Sequence, residues 1–213
     1  MNAVSIIDYG VGNLLSVARA FHYFGAKVNL VNTPDEILKA ERIVLPGVGA
    51  FQDGMKGLRE FNLVDPIKEY AKSGKPFLGI CLGMQMMLTE SSEFGEHLGL
   101  DLIGGEVEPI PSKGINGVPH KIPHIGWNEL APTEHGGLWS ESILKNIPQS
   151  SSVYFVHSYR VIPSNPKTRL ADTYYNGQFI SAVIKSDNVY GCQFHPEKSG
   201  GIGLKIVEQF LQI

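Results

Sequence analysis

Cys81 stands between two glycines, at the point where an apolar strand is expected to give way to a helix. The pattern Gly79-x-Cys81-x-Gly83 matches a nucleophile elbow, in which a sharp strand-to-helix turn lifts the nucleophile clear of the backbone. Glycines suit such a turn because neighbouring side chains would collide there and because a positive φ costs little only for glycine. The start of a helix also stabilises a negatively charged sulfur. The segment therefore predicts a cysteine nucleophile, against the alternative of a buried cysteine in a glycine-rich turn.

A histidine and a carboxylate near the other end of the chain supply the missing partners of this cysteine. His195-Pro196-Glu197 directly follows a predicted strand over 189–194. Residues two apart in extended backbone point the same way, so His195 and Glu197 can face one partner. A thiol, a base that takes its proton and a carboxylate that orients the base form a complete triad. Each residue alone has a structural explanation, but their joint occurrence favours catalysis.

The elements that must position these residues alternate in the first half of the chain. Apolar patterns predict strands over 4–7, 28–31, 43–45 and 76–80, and helices over 14–24, after Thr33-Pro34, from Asp65-Pro66 to Gly74, and over 82–88. This alternation favours an α/β fold with an open, mostly parallel sheet and helices on both faces. Loops at the carboxyl ends of such strands converge at one edge of the sheet.

The second half of the chain has a different character. Strand patterns over 107–110, 153–156, 170–175, 180–184 and 189–194, with Asn176-Gly177 as a turn, predict an antiparallel or mixed extension of the sheet. A final helix is expected over 200–213, and the segment 109–132 is interpreted as a long ordered loop. With 213 residues and no composition break, the chain is expected to form a single domain over 1–213.

The elbow and the His195-Pro196-Glu197 motif together resemble the class I (triad) glutamine amidotransferases, whose fold is flavodoxin-like. Within that superfamily the chain is most similar to the glutaminase subunits of imidazole glycerol phosphate synthase. Met84 stands where many other members have histidine, and it argues against a subunit of anthranilate or aminodeoxychorismate synthase. The finer resemblance rests on four stretches: Asp8-Tyr9-Gly10-Val11-Gly12-Asn13, Pro46-Gly47-Val48-Gly49-Ala50-Phe51, Pro123-His124-Ile125-Gly126-Trp127-Asn128 and Tyr154-Phe155-Val156-His157-Ser158-Tyr159.

The expected reaction is attack of the Cys81 thiolate on the side-chain amide of L-glutamine, followed by hydrolysis of a thioester. The elbow predicts the backbone N–H of Leu82 as one oxyanion donor. A second donor is expected from the Val48 and Gly49 part of the loop at Gly47. The resemblance further implies a set of substrate contacts: Gly47, Gln85, Glu93, His157, Ser158 and Tyr159. For the last five, ordinary structural roles remain alternatives.

Ammonia from this reaction is wasted unless a second catalytic unit consumes it, and the chain is too short to contain one. A separate synthase subunit is therefore expected. The resemblance implies a (β/α)8-barrel cyclase in a heterodimer, acting in histidine biosynthesis, and it suggests that Asn13 faces either this partner or the oxyanion loop. Trp127 and the proline-rich loop around it are the expected docking surface, because an exposed tryptophan often anchors an interface. Three alternatives remain: a glutaminase subunit for anthranilate or aminodeoxychorismate synthase, an autonomous thiol hydrolase, or a non-enzymatic regulatory subunit. A core-filling role for Trp127 also stays open.

Composition excludes several other classes of protein. The formal net charge is −3 without a basic run, so no nucleic acid partner is expected. Only Cys81 and Cys192 are cysteines, which argues against a disulfide framework and favours a reducing, cytoplasmic setting. Neither a signal peptide nor a membrane-spanning run is recognised. No cofactor is expected, and nearby prolines argue against a helix that would align His120 and His124 as metal ligands.

Overall fold

The computed structural model describes residues 2–213, which form six α-helices and fourteen strands. The strands are β1 Ala3–Ile7, β2 Lys27–Val31, β3 Ile43–Gly47, β4 Phe77–Cys81, β5 Leu88–Ser91, β6 His97–Leu98, β7 Ile103–Pro109, β8 His124–Glu129, β9 Ala131–Pro132, β10 Ser152–His157, β11 Tyr159–Pro163, β12 Arg169–Tyr175, β13 Gln178–Ser186 and β14 Val189–Cys192. The helices are α1 Leu14–His22, α2 Pro34–Lys39, α3 Phe51–Glu60, α4 Val64–Lys72, α5 Leu82–Met86 and α6 Gly200–Gln212.

An eight-stranded sheet organises the chain, in the order β2-β1-β3-β4-β14-β13-β12-β9. The first five strands in this order are parallel, and the remaining three extend the sheet in antiparallel fashion. The α/β prediction with a mixed extension is thereby confirmed. Asn176-Gly177 is the predicted hairpin turn between β12 and β13, and both residues have positive φ.

Hydrophobic packing covers both faces of this sheet. On β3, Val44 packs with α1 and α6 on one face, whereas Ile43 and Leu45 pack with α2, α3 and α4 on the other. Strands covered on both faces are apolar along their whole length, which explains the continuous apolar runs in the first half of the sequence. Among residues 2–213, no helix combines the length and apolarity that crossing a membrane requires.

Two further sheets lie beside the main one, and both correct the sequence-based expectations. The predicted helix over 82–88 ends at Met86, because its last carbonyls accept hydrogen bonds from outside the helix. The Met86 carbonyl accepts from the Leu100 N–H at 2.8 Å, and that of Met87 from the Ile103 N–H at 3.1 Å. The chain then enters β5 of the sheet β11-β7-β5-β6.

The segment 109–132 is not the long loop that the sequence predicted. It contains β8, which pairs with β10 in an antiparallel ladder from His124↔His157 to Glu129↔Ser152, and β9 at the edge of the main sheet. On β8 the exposed positions Ile125 and Trp127 are apolar, so the usual pattern of polar exposed residues is missing. The strand is specified by its distant partner and not by its own alternation.

Candidate active site

Cys81 forms a strained turn at the junction of β4 and α5. Its φ of 53° and ψ of −109° lie in a region that non-glycine residues rarely occupy. The flanking glycines serve close packing and not backbone conformation, since neither Gly79 nor Gly83 has a positive φ. A Cβ on Gly83 would lie 1.8 Å from the Leu45 carbonyl oxygen, and one on Gly79 would lie 2.8 Å from the backbone of Gly83. The expected collisions are confirmed, whereas the positive φ falls on the cysteine itself.

His195 and Glu197 meet through a turn and not through extended backbone. β14 ends at Cys192, before the predicted limit of 194, and Pro196–Lys198 forms a single 3-10 turn. This turn brings Nδ1 of His195 to 2.8 Å from Oε1 of Glu197. Because β14 and β4 are parallel neighbours, His195 and Cys81 follow strands that end at the same edge of the sheet.

The electrostatics of His195 favour its charged form. Burial alone would lower the pKa of His195, but the neighbouring Cys81 sulfur and the Glu197 carboxylate outweigh it and raise that pKa to about 9. The Nε2 atom of His195 is buried and makes no hydrogen bond with the described residues. With Nδ1 occupied by Glu197, Nε2 is the nitrogen that can exchange a proton with a substrate or a thiol.

A cavity of about 370 Å³ is lined by Cys81, His195 and most of the predicted substrate contacts. Its lining consists of Val48, Gly49, Cys81, Leu82, Gln85, Glu93, Pro123, Val156, His157, Ser158, Tyr159, His195 and Lys198. The size suits a small polar molecule. Sequence reasoning assigned no role to Pro123, Val156 or Lys198, although Pro123 and Val156 lie in stretches that it had singled out and Lys198 follows the His195-Pro196-Glu197 motif.

Gly47 does not line the cavity. A Cβ at this position would lie 2.7 Å from the Tyr9 hydroxyl and 3.0 Å from the Gly83 nitrogen, so Gly47 allows β3 to pack closely behind the elbow. Gly49 has a φ of 95° and open space around it, so its need for glycine is conformational. The hydroxyl of Tyr9 donates to the Pro46 carbonyl at 2.7 Å, which fixes the base of this loop.

Glu93 joins the cavity to the start of α3. Its Oε2 accepts the backbone N–H of Phe51 at 2.6 Å, one of the donors that a helix N-terminus leaves unpaired. Burial raises the pKa of Glu93, and the Phe51 N–H partly opposes that rise. The carboxylate is thus held at the edge of the cavity, with its other oxygen available to a ligand.

The segment His157-Ser158-Tyr159 lines the cavity. The His157 side chain is buried, and its Nδ1 lies 2.8 Å from the carbonyl of Tyr159. Burial lowers the pKa of His157 to about 3, against a smaller opposing effect of the Tyr159 hydrogen bond. The packing role that the sequence left open for His157 is therefore real, and it coexists with a place in the cavity lining.

The two residues expected at an interface lie outside the cavity lining. Asn13 is the N-cap of α1, where its side-chain oxygen accepts the Ser16 N–H at 3.4 Å. Trp127 on β8 is 55% exposed, so it does not fill the core.

His120 and His124 bond to separate partners, the Pro111 carbonyl and His157, and residues 2–213 hold no cluster of three metal-ligating side chains.

The open parallel sheet, the cysteine elbow and the histidine–carboxylate pair at one edge are the elements that a thiol-dependent amidotransferase requires. The family model described as glutamine amidotransferase class-I matches residues 5–213, and this chain belongs to that family.

Individual relatives within this family have more specific names. The chain is 70% identical over 213 residues, covering 100% of both sequences, to imidazole glycerol phosphate synthase subunit HisH 1 of Legionella pneumophila strain Paris. It is 46% identical over 209 residues to subunit HisH of Aquifex aeolicus, covering 96% of this chain and 94% of that protein. The fold is shared with PurLQS from Thermotoga maritima, with a TM-score of 0.73, 20% identity, and 99% and 97% coverage.

Proposed function

We propose that this chain is the glutaminase subunit of an imidazole glycerol phosphate synthase in histidine biosynthesis. It would hydrolyse L-glutamine to glutamate and ammonia and pass the ammonia to a cyclase subunit. The observation that carries the proposal is that His195, whose Nδ1 lies 2.8 Å from Oε1 of Glu197, lines the same cavity as Cys81. The names of the relatives at 70% and 46% identity support the particular acceptor reaction.

The first half of the reaction forms a thioester. Cys81 transfers its proton to Nε2 of His195, and the thiolate attacks the side-chain amide carbon of glutamine to form a C–S bond. The backbone N–H of Leu82 and one from Val48 or Gly49 stabilise the oxyanion, an effect of about 3 kcal/mol for each donor. The tetrahedral intermediate then breaks its C–N bond, and His195 donates its proton to the leaving ammonia.

The second half regenerates the enzyme. A water molecule gives one proton to Nε2 of His195 and attacks the thioester carbon, and the C–S bond breaks to release glutamate and the thiolate. Glu197 keeps Nδ1 protonated throughout, which fixes the tautomer and stabilises the imidazolium. In this scheme Gln85, Glu93 and the backbone of the 157–159 segment hold glutamine, Glu93 by its α-amino group. Gly47 supports the oxyanion loop from behind.

The partner would be a (β/α)8-barrel cyclase that covers the cavity, so that ammonia reaches its acceptor before water protonates it. The exposed face of the β8–β10 ladder, with Trp127 opposite Tyr154, is the surface that we assign to this contact, and Asn13 would lie at its margin. We further infer that the Gly47-Val48-Gly49 backbone changes alignment when the cyclase and its nucleotide bind. An oxyanion loop with the same structure in free and complexed protein would contradict this inference.

The proposal treats residues 1–213 as a single amidotransferase domain, in agreement with the family match over 5–213. It places the enzyme in the cytoplasm, where Cys81 and Cys192 would remain free thiols.

The deciding experiment measures glutamate release from L-glutamine by the chain alone and with the cyclase and its nucleotide, with Cys81→Ser as the blank. Strong activation only in the complete mixture is expected. High activity of the isolated chain would favour an autonomous thiol hydrolase, and activation by an anthranilate or aminodeoxychorismate synthase subunit would favour another acceptor. No activity in a verified complex, or full function of Cys81→Ser, would refute the triad.

A further inference from the structure

The side chain of Gln193 reaches the nucleophile, with its Nε2 atom 3.8 Å from the Cys81 sulfur. Gln193 follows the last residue of β14, and its backbone N–H donates to the Ala182 carbonyl at 2.9 Å. Its side chain is completely buried. It precedes the catalytic base, His195, by two residues. A buried amide of this kind requires hydrogen-bond partners.

The orientation of the Gln193 amide is fixed by its neighbours. The Tyr159 carbonyl can only accept a hydrogen bond, so Gln85 must present its NH₂ group to it, at 3.2 Å. The same NH₂ group lies 3.1 Å from the Gln193 side chain, which must therefore present its oxygen. The NH₂ group of Gln193 then points to the Cys81 sulfur, 3.8 Å away. The chain from Tyr159 through Gln85 and Gln193 thus ends at the nucleophile.

Two hydrogen-bonding groups of opposite kind reach the Cys81 sulfur. The Val156 carbonyl, 3.9 Å from Sγ, can accept a hydrogen bond from the thiol but would repel a thiolate. The NH₂ group of Gln193 can donate to a thiolate. A donor to a charged acceptor forms a stronger hydrogen bond than a neutral pair does. Gln193 therefore favours the reactive form of Cys81 and Val156 the resting one.

We propose that Gln193 is a further catalytic residue, which stabilises the Cys81 thiolate by a direct N–H···S hydrogen bond. The role in turnover rests on the proposed glutaminase function, whereas the contact with sulfur does not. The thiolate exists before attack and again when the thioester C–S bond breaks, so Gln193 acts in both halves of the reaction. Because its oxygen is bound to Gln85, the donor is positioned before glutamine arrives.

Alkylation of Cys81 by iodoacetamide as a function of pH tests the contact without any glutaminase assay. Gln193→Met keeps the length of the side chain and removes the donor, while the Gln85 NH₂ group retains the Tyr159 carbonyl. Gln193→Met leaves the titratable groups around Cys81 unchanged: Tyr9, Glu93, His157, His195, Glu197 and Lys198. Cys81→Ser reports any reaction of Cys192, which is fully buried.

We expect the pH midpoint of alkylation in Gln193→Met to rise by about one unit, and kcat in the complex with cyclase to fall by roughly tenfold or more. An unchanged midpoint in the folded variant would overturn the proposal. Gln193→Glu retains an acceptor for Gln85 but turns a carboxylate oxygen toward the sulfur, and it should raise the midpoint further. If Gln193→Met does not fold, an unchanged midpoint in Gln193→Glu has the same consequence. Absence of wild-type glutaminase activity would refute the proposed function and leave the alkylation result standing.

Discussion

The Nδ1 atom of His124 lies 2.9 Å from the Nε2 atom of His157, although the two residues are 33 positions apart in the chain. The Tyr159 carbonyl can only accept a hydrogen bond, so Nδ1 of His157 carries a proton and donates a hydrogen bond to that carbonyl. The Nε2 atom of His157 then accepts a hydrogen bond from Nδ1 of His124. His157 is therefore neutral with its proton on Nδ1, and burial, which lowers the pKa of His124, favours a neutral His124 that donates from Nδ1. This pair connects β8, on which the proposed docking surface lies, to the backbone that lines the cavity.

The buried His157 makes the fold sensitive to acid. Its pKa is lowered to about 3, so between pH 6.5 and 3 this histidine is protonated in the unfolded chain but stays neutral in the folded chain. Stability should therefore decrease as the pH falls from 6.5 toward 3, by about 2 kcal/mol at pH 5. Urea unfolding at pH 7.5 and 5 should show a smaller difference for His157→Gln than for the wild type. The exposed His22→Gln serves as control, and equal differences in all three proteins would contradict the assignment.

Glu197→Gln tests the opposite shift at His195. The raised pKa means that His195 stabilises the folded state fully below pH 6.5 and loses this effect as the pH rises through about 9. Between pH 6.5 and 9.5 the wild type should lose on the order of 2–3 kcal/mol of unfolding free energy, and the variant distinctly less. Its kcat should fall on the order of 100-fold or more. Denaturation at the two pH values is the measurement, with the exposed Glu134→Gln as control.

Gly83→Ala should disrupt the elbow, because the added Cβ would collide with the Leu45 carbonyl and force β3 away from α5. A loss of about 3 kcal/mol or more in unfolding free energy is expected. Gly201→Ala is the matched control, since a Cβ on this residue of α6 has no neighbour within 4 Å. It should stabilise the protein by about 0.5–1 kcal/mol. Similar urea midpoints for the two variants would refute the close-packing explanation.

Glu93→Gln retains an acceptor for the Phe51 N–H but removes the charge that we assign to the α-amino group of glutamine. The KM for glutamine in the cyclase complex should rise about tenfold or more, with a smaller effect on kcat. Because burial raises the pKa of Glu93, the wild-type KM should also increase as the pH falls toward that pKa, whereas the variant should lack this dependence. Steady-state kinetics measure these KM values, with the exposed Glu96→Gln as control. An unchanged KM in Glu93→Gln would exclude a contact between Glu93 and the α-amino group.

Trp127→Ala should weaken binding of the cyclase by about 10- to 100-fold, because exposed aromatic residues at the centre of an interface contribute most of its binding energy. The comparison is Tyr23→Ala, which removes an aromatic ring that is 72% exposed at the end of α1. Titration calorimetry gives the dissociation constants. Equal affinities of the two variants for the cyclase would show that the docking surface does not lie on the β8–β10 ladder.

The fold class followed from local patterns because each of them depends on neighbouring residues. The parallel core strands are predominantly apolar, Thr33-Pro34 begins α2, and Asn176-Gly177 makes a two-residue turn. None of these features needs a distant partner. β8 was missed for the opposite reason, since two of its exposed residues, Ile125 and Trp127, are apolar and only the ladder with β10 makes it a strand.

By itself, the sequence determined the chemical types: a cysteine in a glycine-flanked turn, a histidine and a carboxylate two residues apart, and the alternating elements that bring such turns to one sheet edge. Only the tertiary structure decided which polar groups meet. It placed Gln193 under the sulfur, Glu93 at the start of α3 and His124 against His157. These contacts join residues 33 to 112 positions apart, and no local pattern encodes them. They arise because strand pairing fixes which side chains share a face, and a buried polar group must then find its partner there.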